Sequence, residues 1–545
     1  MIEQIGEQLN ISFSAPFDIE KYDLFLKAKR LPESRLEYDE TADVYTIETH
    51  VRYSDLLGIR KKRVQSNEID FPPFLFEHQR EIVKLALAAK RYAVWANVGL
   101  GKTLIELEFA RQVVAITGGR VLILTLNEIV EQTIEEAEKF YGPAFKIFRI
   151  KSREDMRLWC KGELGAFYQI AITNYEKMNP DEHGQDVPEL RNLAGLVLDE
   201  SSRLKAGGGK QKWAIIKSSK GIPYKLSATA TPAPNDYIEF ASQASFLERM
   251  RDENEIIWTF FAKDKQTQEW TVKRHARQAF FEWMCAWSIY LKLPQSFGWS
   301  SDFILPPEPE IILHEIEATL PQVEKASLFN VNTKHQPSLF VTQSQGVVGR
   351  SKLSQIAKGF VYLDGKKRVE RIDSAKPEFI ANLILNEVSA GLQVLVWTIF
   401  DEETDIIADR LREYGYSTNG FQIDFEVLSG TTPKNKRPEI LDAFRKGDVR
   451  VLISKASLLG YGMNFQMCGS MIFSGWNDSF ESWYQAIGRA VRYGQKKSVR
   501  IHLPFIRELE YEQLENIFRK QGQFEAAILE QEKAYIKAMK GMKLL

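Results

Sequence analysis

The sequence predicts an α/β chain: two tandem blocks built on parallel sheets, a helical insertion between them, and a small α+β piece in front. Three observations carry that expectation. Short, continuously apolar runs alternate with longer helix-forming stretches in two separate regions of the 545 residues, as parallel strands covered on both faces by helices do. A glycine-rich loop leading into a helix opens the first region. An aromatic and basic segment without such alternation separates the two.

Residues 1–70 are expected to form an N-terminal accessory domain. Ile19 to Lys29 reads as a helix ahead of Leu31-Pro32. An alternating stretch then turns at Asp39-Glu40-Thr41-Ala42-Asp43 and returns through Val44-Tyr45-Thr46-Ile47, a hairpin pattern. Phe71-Pro72-Pro73 breaks either regular element and marks a boundary. Residues 71–245 form the first block, with strands at Tyr92–Trp95, Val121–Leu124, Ile170–Ile172 and Leu196–Leu198. Residues 246–375 read as a helical insertion and linker, in which Trp258, Trp270, Trp283, Trp287 and Trp299 interleave with Lys263, Lys265, Lys273, Arg274 and Arg277. Trp283 and Trp287, four apart, suit the core face of a helix, while the basic residues suit a phosphate chain. Residues 376–510 form the second block, with strands at Val394–Trp397, Val451–Ile453 and Met471–Phe473, and residues 511–545 read as a charged helical tail.

Bulk composition narrows the class. Hydrophobic residues make up 44%, charged residues 27%, and the net charge is -1. No global basic field advertises nucleic acid, although a local basic groove on a neutral body would serve. Cys160, Cys285 and Cys468 stand far apart and give neither a disulfide framework nor a zinc pattern, as expected in a reducing cytosol. Met1-Ile2-Glu3-Gln4-Ile5 lacks the basic-then-apolar profile of a signal peptide. No apolar run approaches the roughly 20 residues that span a bilayer. A cytoplasmic monomer with no membrane association is expected.

The first chemical motif is Ala96-Asn97-Val98-Gly99-Leu100-Gly101-Lys102-Thr103, placed between a strand and a helix. Gly99 and Gly101 let backbone N–H groups close around a phosphate, and the helix N-terminus adds a favourable dipole. Lys102 can reach the β- and γ-phosphates of ATP, and Thr103 can offer its hydroxyl to Mg²⁺. Asp199-Glu200 ends an apolar strand, where an aspartate holds Mg²⁺ and a glutamate polarises the attacking water. Leu226-Ser227-Ala228-Thr229-Ala230-Thr231-Pro232 places small hydroxyl residues where the γ-phosphate can be sensed. In the second block, Arg489 and Arg492 are three apart and would share one face of a helix, as a pair of arginine fingers requires.

Together these motifs resemble the superfamily-two helicases, and within them the Swi/Snf-like ATPases. The match runs in order through Gly99–Thr103, Asp199-Glu200-Ser201-Ser202-Arg203-Leu204-Lys205, Thr231-Pro232-Ala233-Pro234-Asn235, Gly460-Tyr461-Gly462-Met463-Asn464, Trp476-Asn477 and Arg492-Tyr493-Gly494-Gln495. Asp199-Glu200-Ser201-Ser202, Ser454-Lys455-Ala456-Ser457 and Asp302-Phe303-Ile304-Leu305-Pro306-Pro307 resemble the branch carried by bacteriophages and other mobile elements. The resemblance implies two RecA-like lobes, ATP and Mg²⁺ as cofactors, and a bacterial or phage-infected cell. It further implies that Gln79 reads the adenine edge, and that Gly99, Leu100, Gly101, Lys102, Thr103, Gly462 and Asn464 line the nucleotide site. Nucleic-acid contacts are implied for Thr125, Thr173, Asn174 and Tyr175 in the first lobe, and for Thr398, Lys455 and Ser457 in the second.

Ser201-Ser202 replace the Ala-His usual in the family, which puts the coupling attributed to that histidine in doubt. Lys455-Ala456 stand where serine-threonine is expected; a lysine there still meets a phosphate, as a point charge. Residues 13–57 resemble the HARP module of annealing helicases, through a helix ending before Leu31-Pro32, Tyr38-Asp39 at a turn, and Tyr53-Ser54-Asp55-Leu56-Leu57. The function implied is a DNA-dependent ATPase that moves along or remodels duplex, forked or single-stranded DNA, with replication, recombination or defence proteins as partners. An RNA helicase, or an ATP-binding scaffold in such a complex, remains the alternative at this point.

Overall fold

The computed structural model describes residues 2–5, 8–14, 19–31, 33–54, 57, 70–127, 129–165, 167–180, 190–205, 209–233, 237–263, 270–299, 306–328, 343–363, 368–417, 424–433, 435–456, 458–459, 464–476, 479–492 and 494–541. Two compact units emerge: Met1–Asp302 together with Phe524–Leu545, and Phe303–Gln523.

The first unit opens with strands β1 (Ile2–Ile5), β2 (Gln8–Ser14), β3 (Arg35–Asp39) and β4 (Val44–His50), paired antiparallel in the order β1-β2-β4-β3. Leu9, Ile11 and Phe13 alternate along β2 and so point to one face, where they meet Ala28 of helix Ile19–Lys29 and Ile47 of β4. The β3–β4 turn is held by the Asp39 carboxylate, which accepts from Thr41 N at 2.9 Å and Ala42 N at 3.2 Å. Asp43 follows at φ 52°, a left-handed conformation that aspartate tolerates.

A wholly parallel sheet of seven strands follows. It comprises β5 (Arg91–Ala96), β6 (Val121–Thr125), β7 (Ile147–Arg149), β8 (Ile170–Asn174), β9 (Gly195–Leu198) and β10 (Tyr224–Thr229). The seventh strand comes after the small hairpin β11 (Phe261–Lys263) and β12 (Trp270–Val272); it is β13 (Ser288–Leu291). The order is β13-β5-β10-β9-β6-β8-β7. The apolar runs read from sequence are its central strands: every residue of β9 and of Val121–Leu124 in β6 is buried. Register aligns the C-terminal ends of β5, β6, β9 and β10 along one edge, since Leu198 pairs with both Leu124 and Ser227, and Thr229 pairs with Trp95.

The region expected to be helical carries helices Glu253–Phe260 and Arg277–Cys285, but it also supplies strand β13. A run of only four residues has no period by which strand and helix can be told apart. Trp283 and Trp287 are core, at 1% and 0% exposure, while Trp258 stands 72% exposed.

The second unit holds β14 (Glu310–Ile316), the hairpin β15 (Phe360–Leu363) and β16 (Arg368–Arg371), then β17 (Val394–Thr398), β18 (Phe425–Leu428), β19 (Val451–Lys455), β20 (Ser470–Phe473) and β21 (Arg500–Ile506). Six of them form a second wholly parallel sheet in the order β14-β21-β20-β17-β19-β18. Its core joins Ile380 and Ile384 of helix Ala375–Ser389 to Val394, Val396, Val451 and Ile453. Below it lies a buried ion cluster in which the Glu510 carboxylate takes Lys358 Nζ at 2.8 Å and Lys376 Nζ at 2.5 Å. Two parallel sheets flanked by helices make the chain α/β. No helix among the described residues is long and apolar enough to cross a membrane.

Candidate nucleotide site

The loop between β5 and helix Lys102–Thr117 is shaped by its glycines. Gly99 and Gly101 sit at φ 88° and 71°, left-handed conformations that turn the backbone sharply ahead of the helix. A Cβ on Gly101 would lie 2.2 Å from Gln79 Nε2, so a side chain there has to displace the Gln79 amide. Lys102 begins the helix and its Nζ donates to the Ala96 carbonyl at 2.9 Å, spanning the mouth of the loop. Leu100 is buried, and Thr103 is half-buried in the first turn. Gln79 is buried in helix Glu77–Ala89; its Oε1 accepts from Phe76 N at 2.9 Å and its Nε2 donates to Gly101 O at 3.4 Å. The residue expected at the adenine edge is thus tied to the loop itself.

The carboxylates gather at the sheet edge beside this loop. Asp199 follows β9, and its Oδ2 accepts from Thr125 Oγ1 at 2.7 Å. Glu200 adopts φ 47°, an uncommon conformation for a residue with a Cβ and one that concentrates at functional sites. Its Oε2 accepts from Thr229 Oγ1 at 3.3 Å, and the same hydroxyl oxygen accepts from Thr231 N at 3.2 Å. The hydroxyl segment at the end of β10 is therefore joined directly to the glutamate.

Sequence reasoning passed over Glu106, which lies one turn into the helix and is 1% exposed. Burial and then the Asp199 charge push its carboxyl well above the ordinary range, with Lys102 opposing. Burial raises Asp199 as well, against its bond to Thr125 and the Lys102 charge. Glu106 Oε1 is a buried oxygen with no hydrogen-bond partner. Two carboxyls, Glu106 and Glu108, set among the apolar residues of Leu104–Ala110 were the available signal. The Thr103 hydroxyl and the Asp199 carboxylate are oxygen donors of the kind that a hard divalent cation such as Mg²⁺ takes. The glycine turn and Lys102 fit the phosphates of ATP.

Of the residues assigned to nucleic acid in this unit, Thr125, Thr173 and Tyr175 are buried. Their hydroxyls are engaged by Asp199 Oδ2, by Ile150 O at 3.1 Å and by Asp199 O at 2.6 Å. Burial, followed by the Asp199 charge, raises the Tyr175 phenol well above its usual value. Asn174 stands partly open at the end of β8 and its Nδ2 donates to Asn127 Oδ1 at 2.8 Å.

In the second unit, Thr398 ends β17 buried, its hydroxyl 2.7 Å from that of Thr404. Lys455 ends β19 and its Nζ meets Asp401 Oδ1 at 2.5 Å. Asn464 Oδ1 accepts from Gln466 N at 3.2 Å. Ser457 and Gly462 lie outside the described residues. The helix expected to carry Arg489 and Arg492 runs only Phe480–Ile487, with Gly488 as its cap. Both arginines sit half-buried in the turns that follow, with Arg492 N bonded to Ala490 O and Gln495 N to Arg492 O, each at 3.0 Å. Past Gly488 the α-helical bonding gives way to tighter turns, with Arg489 N bonded to Ala486 O and Ala490 N to Ile487 O, earlier than spacing alone suggested. Gln495 anchors the turn by donating to the carbonyls of Gln466 and Cys468.

Two family models match the chain: the DEAD/DEAH box helicase model over residues 76–239, and the helicase conserved C-terminal domain over residues 375–494. A protein of Acyrthosiphon pisum secondary endosymbiont phage 1, p41, is 24% identical over 79% of this chain and 92% of its own length. The mouse SWI/SNF-related matrix-associated actin-dependent regulator of chromatin subfamily A member 1 is also 24% identical, over 74% of this chain and 38% of its own. This chain belongs to the Swi/Snf-like superfamily-two helicases. It is, with that family, an ATP-hydrolysing enzyme that acts on nucleic acid. Among solved structures, the Sulfolobus solfataricus SWI2/SNF2 ATPase core in complex with dsDNA overlaps 85% of this chain and 95% of its own, at TM-score 0.38 and 18% identity. The Swi/Snf-like chain here spans nearly the full phage relative but well under half of the mouse one.

Proposed function

We propose that this Swi/Snf-like helicase is a DNA-dependent ATPase that uses hydrolysis to move along or remodel DNA. The observation that carries the reading is the joining of Thr229 to Glu200 at 3.3 Å beside the Lys102 loop, which links the hydrolytic carboxylate to the segment that leads away from the site. The relatives favour DNA over RNA: besides the mouse chromatin regulator they include a zebrafish chromodomain-helicase-DNA-binding protein and a chicken DNA repair and recombination protein.

In this reading the backbone N–H groups around Gly99, Leu100 and Gly101 bind phosphate, and Lys102 exchanges the Ala96 carbonyl for the β- and γ-phosphates. Thr103 and Asp199 would hold Mg²⁺, which when bound neutralises phosphate charge. Thr125 fixes the Asp199 carboxylate, so the carboxylate needs little reorganisation to serve as a ligand. Glu200, aimed by Thr229, polarises the attacking water and accepts its proton. Gln79 orients the loop from the adenine side through Gly101. Arg489, Arg492, Asn464 and Gly462 are assigned to the nucleotide, the arginines to charge developing on the transferred phosphoryl group. Asn174, Lys455, Ser457 and the backbone at Thr125, Thr173, Tyr175 and Thr398 are assigned to the DNA phosphates.

ATPase rates with duplex, forked and single-stranded DNA and with RNA test the proposal. Stimulation by at least one DNA form, abolished in Lys102→Ala, is expected. Stimulation by RNA and by no DNA would overturn the choice of DNA.

A further inference from the structure

We infer that Gln243 is a positioning residue that couples the nucleotide site to the Ser227–Pro232 segment. The inference deepens the proposed function and rests on it. Gln243 comes from the short helix Phe240–Phe246 and is 1% exposed. Its side-chain amide is a point at which four parts of the site converge. Oε1 accepts from Trp95 Nε1 at 3.0 Å, and Trp95 is the residue immediately before Ala96, where the phosphate loop departs from β5. The same oxygen lies 2.6 Å from Ser227 Oγ on β10 and 3.3 Å from Ser201 Oγ, directly after Glu200. The two serine hydroxyls are 2.9 Å from each other. Nε2 donates to the Pro232 carbonyl at 3.1 Å.

Trp95, Ser201 and Ser227 are each 0% exposed, so no water replaces these partners if the amide is lost. The two serine hydrogens serve three oxygen–oxygen contacts, so one contact is always without its own hydrogen. A small shift of Ser201 therefore redistributes the bonds among Ser201, Ser227 and Gln243, and the amide carries that shift to Pro232. This gives a physical route around the departure at Ser201-Ser202: hydroxyl, amide and carbonyl do the coupling that a histidine after the acidic pair performs in the family pattern. Only a side chain with both an acceptor and a donor can hold Trp95 and the serines at one end and the Pro232 carbonyl at the other.

Hydrogen exchange of the full chain with and without Mg²⁺ and the non-hydrolysable analogue AMP-PNP tests this. In the wild type, nucleotide should slow exchange both at the phosphate loop and at residues 227–231. In Gln243→Leu, protection of the loop should remain while nucleotide-dependent protection of 227–231 is lost. DNA-stimulated kcat should fall at least about tenfold, with the KM for ATP changed less than about threefold. Ser227→Ala, a smaller perturbation, should show the same selective loss and decides the matter if Gln243→Leu does not fold. A merely structural role would reduce the folded fraction and leave the nucleotide-dependent pattern of the folded molecules intact. Retention of protection at 227–231 in both variants overturns the inference alone. Absence of loop protection in the wild type overturns the nucleotide reading, and the inference with it.

Discussion

Gly101 and Gly118 bracket one helix, the first as its N-cap and the second as its C-cap, and both are left-handed, at φ 71° and 66°. An alanine at either position meets the same backbone penalty, about 1–2 kcal/mol. Their surroundings differ. Nothing lies within 4 Å of a Cβ on Gly118, whereas a Cβ on Gly101 would be 2.2 Å from Gln79 Nε2. Gly101→Ala must therefore expel the Gln79 amide, which gives up its bonds to Phe76 N and Gly101 O. With each bond contributing about 0.5–1.5 kcal/mol net, the excess over Gly118→Ala comes to about 1–3 kcal/mol. If the loop relaxes in the empty protein, binding ATP must restore it and the excess appears as weaker affinity, about 5- to 150-fold. If it does not relax, the excess appears in folding stability. Urea unfolding and calorimetric titration with ATP, run on both variants, should show the excess in the sum of the two measurements. Equal sums for Gly101→Ala and Gly118→Ala would refute the reasoning, because the close approach of Gln79 would then have no energetic content.

Other expectations follow from single contacts. Glu200→Gln should retain ATP binding and lose hydrolysis by about two orders of magnitude or more, read from single-turnover rates. Thr229→Val, which removes the hydroxyl that aims Glu200 while keeping its shape, should lower kcat several-fold and leave ATP affinity near wild type. Glu510→Gln strands two buried ammonium groups, Lys358 and Lys376, and should destabilise the protein by about 3–5 kcal/mol in urea unfolding. Burial depresses Lys376 from 10.5 to about 8 despite its pairing with Glu510. Between those values the unfolded chain binds more protons than the folded one, so stability should rise as pH rises through that window. Lys376→Met should flatten that rise; an unchanged slope would show that other groups cause it.

Local patterns were legible where one physical signal dominated. The strands at Val121–Leu124 and Leu196–Leu198 announced themselves because a strand covered on both faces has no polar positions to confuse its period. The helix Ile19–Lys29 and the β3–β4 turn were equally plain, one ending just before Leu31-Pro32 and the other built on Asp39 and Asp43. Ser288–Leu291 was not, because four apolar residues beside a tryptophan-rich helix fit either state until pairing with β5 decides. The end of helix Phe480–Ile487 is hidden for a related reason: the i,i+3 spacing of Arg489 and Arg492 presumes an α-helix where the chain runs on in tighter turns.

The site divides along the same line. Gly99, Gly101, Lys102 and Asp199 stand out in sequence because the phosphate and metal binding proposed for them would demand particular residue types at fixed offsets along the chain. Glu106 and Gln243 are not, because what matters about them is three-dimensional. Each is a buried polar residue on a helix, and its partners lie far away along the chain: Asp199 for Glu106, and Trp95, Ser201 and Ser227 for Gln243. Sequence alone gives such a residue two readings, a misplaced surface group or a buried one whose partners are supplied by other strands. Burial settles the choice for Gln243, since an unpaired amide at 1% exposure would cost too much to keep. Burial alone does not say where the partners lie, since Glu108 on the same helix as Glu106 is just as buried and bonds Arg111, Gln112 and Tyr141. Glu106 and Gln243 are set apart by partners at the ends of β9 and β10, where Glu200 and Thr229 meet.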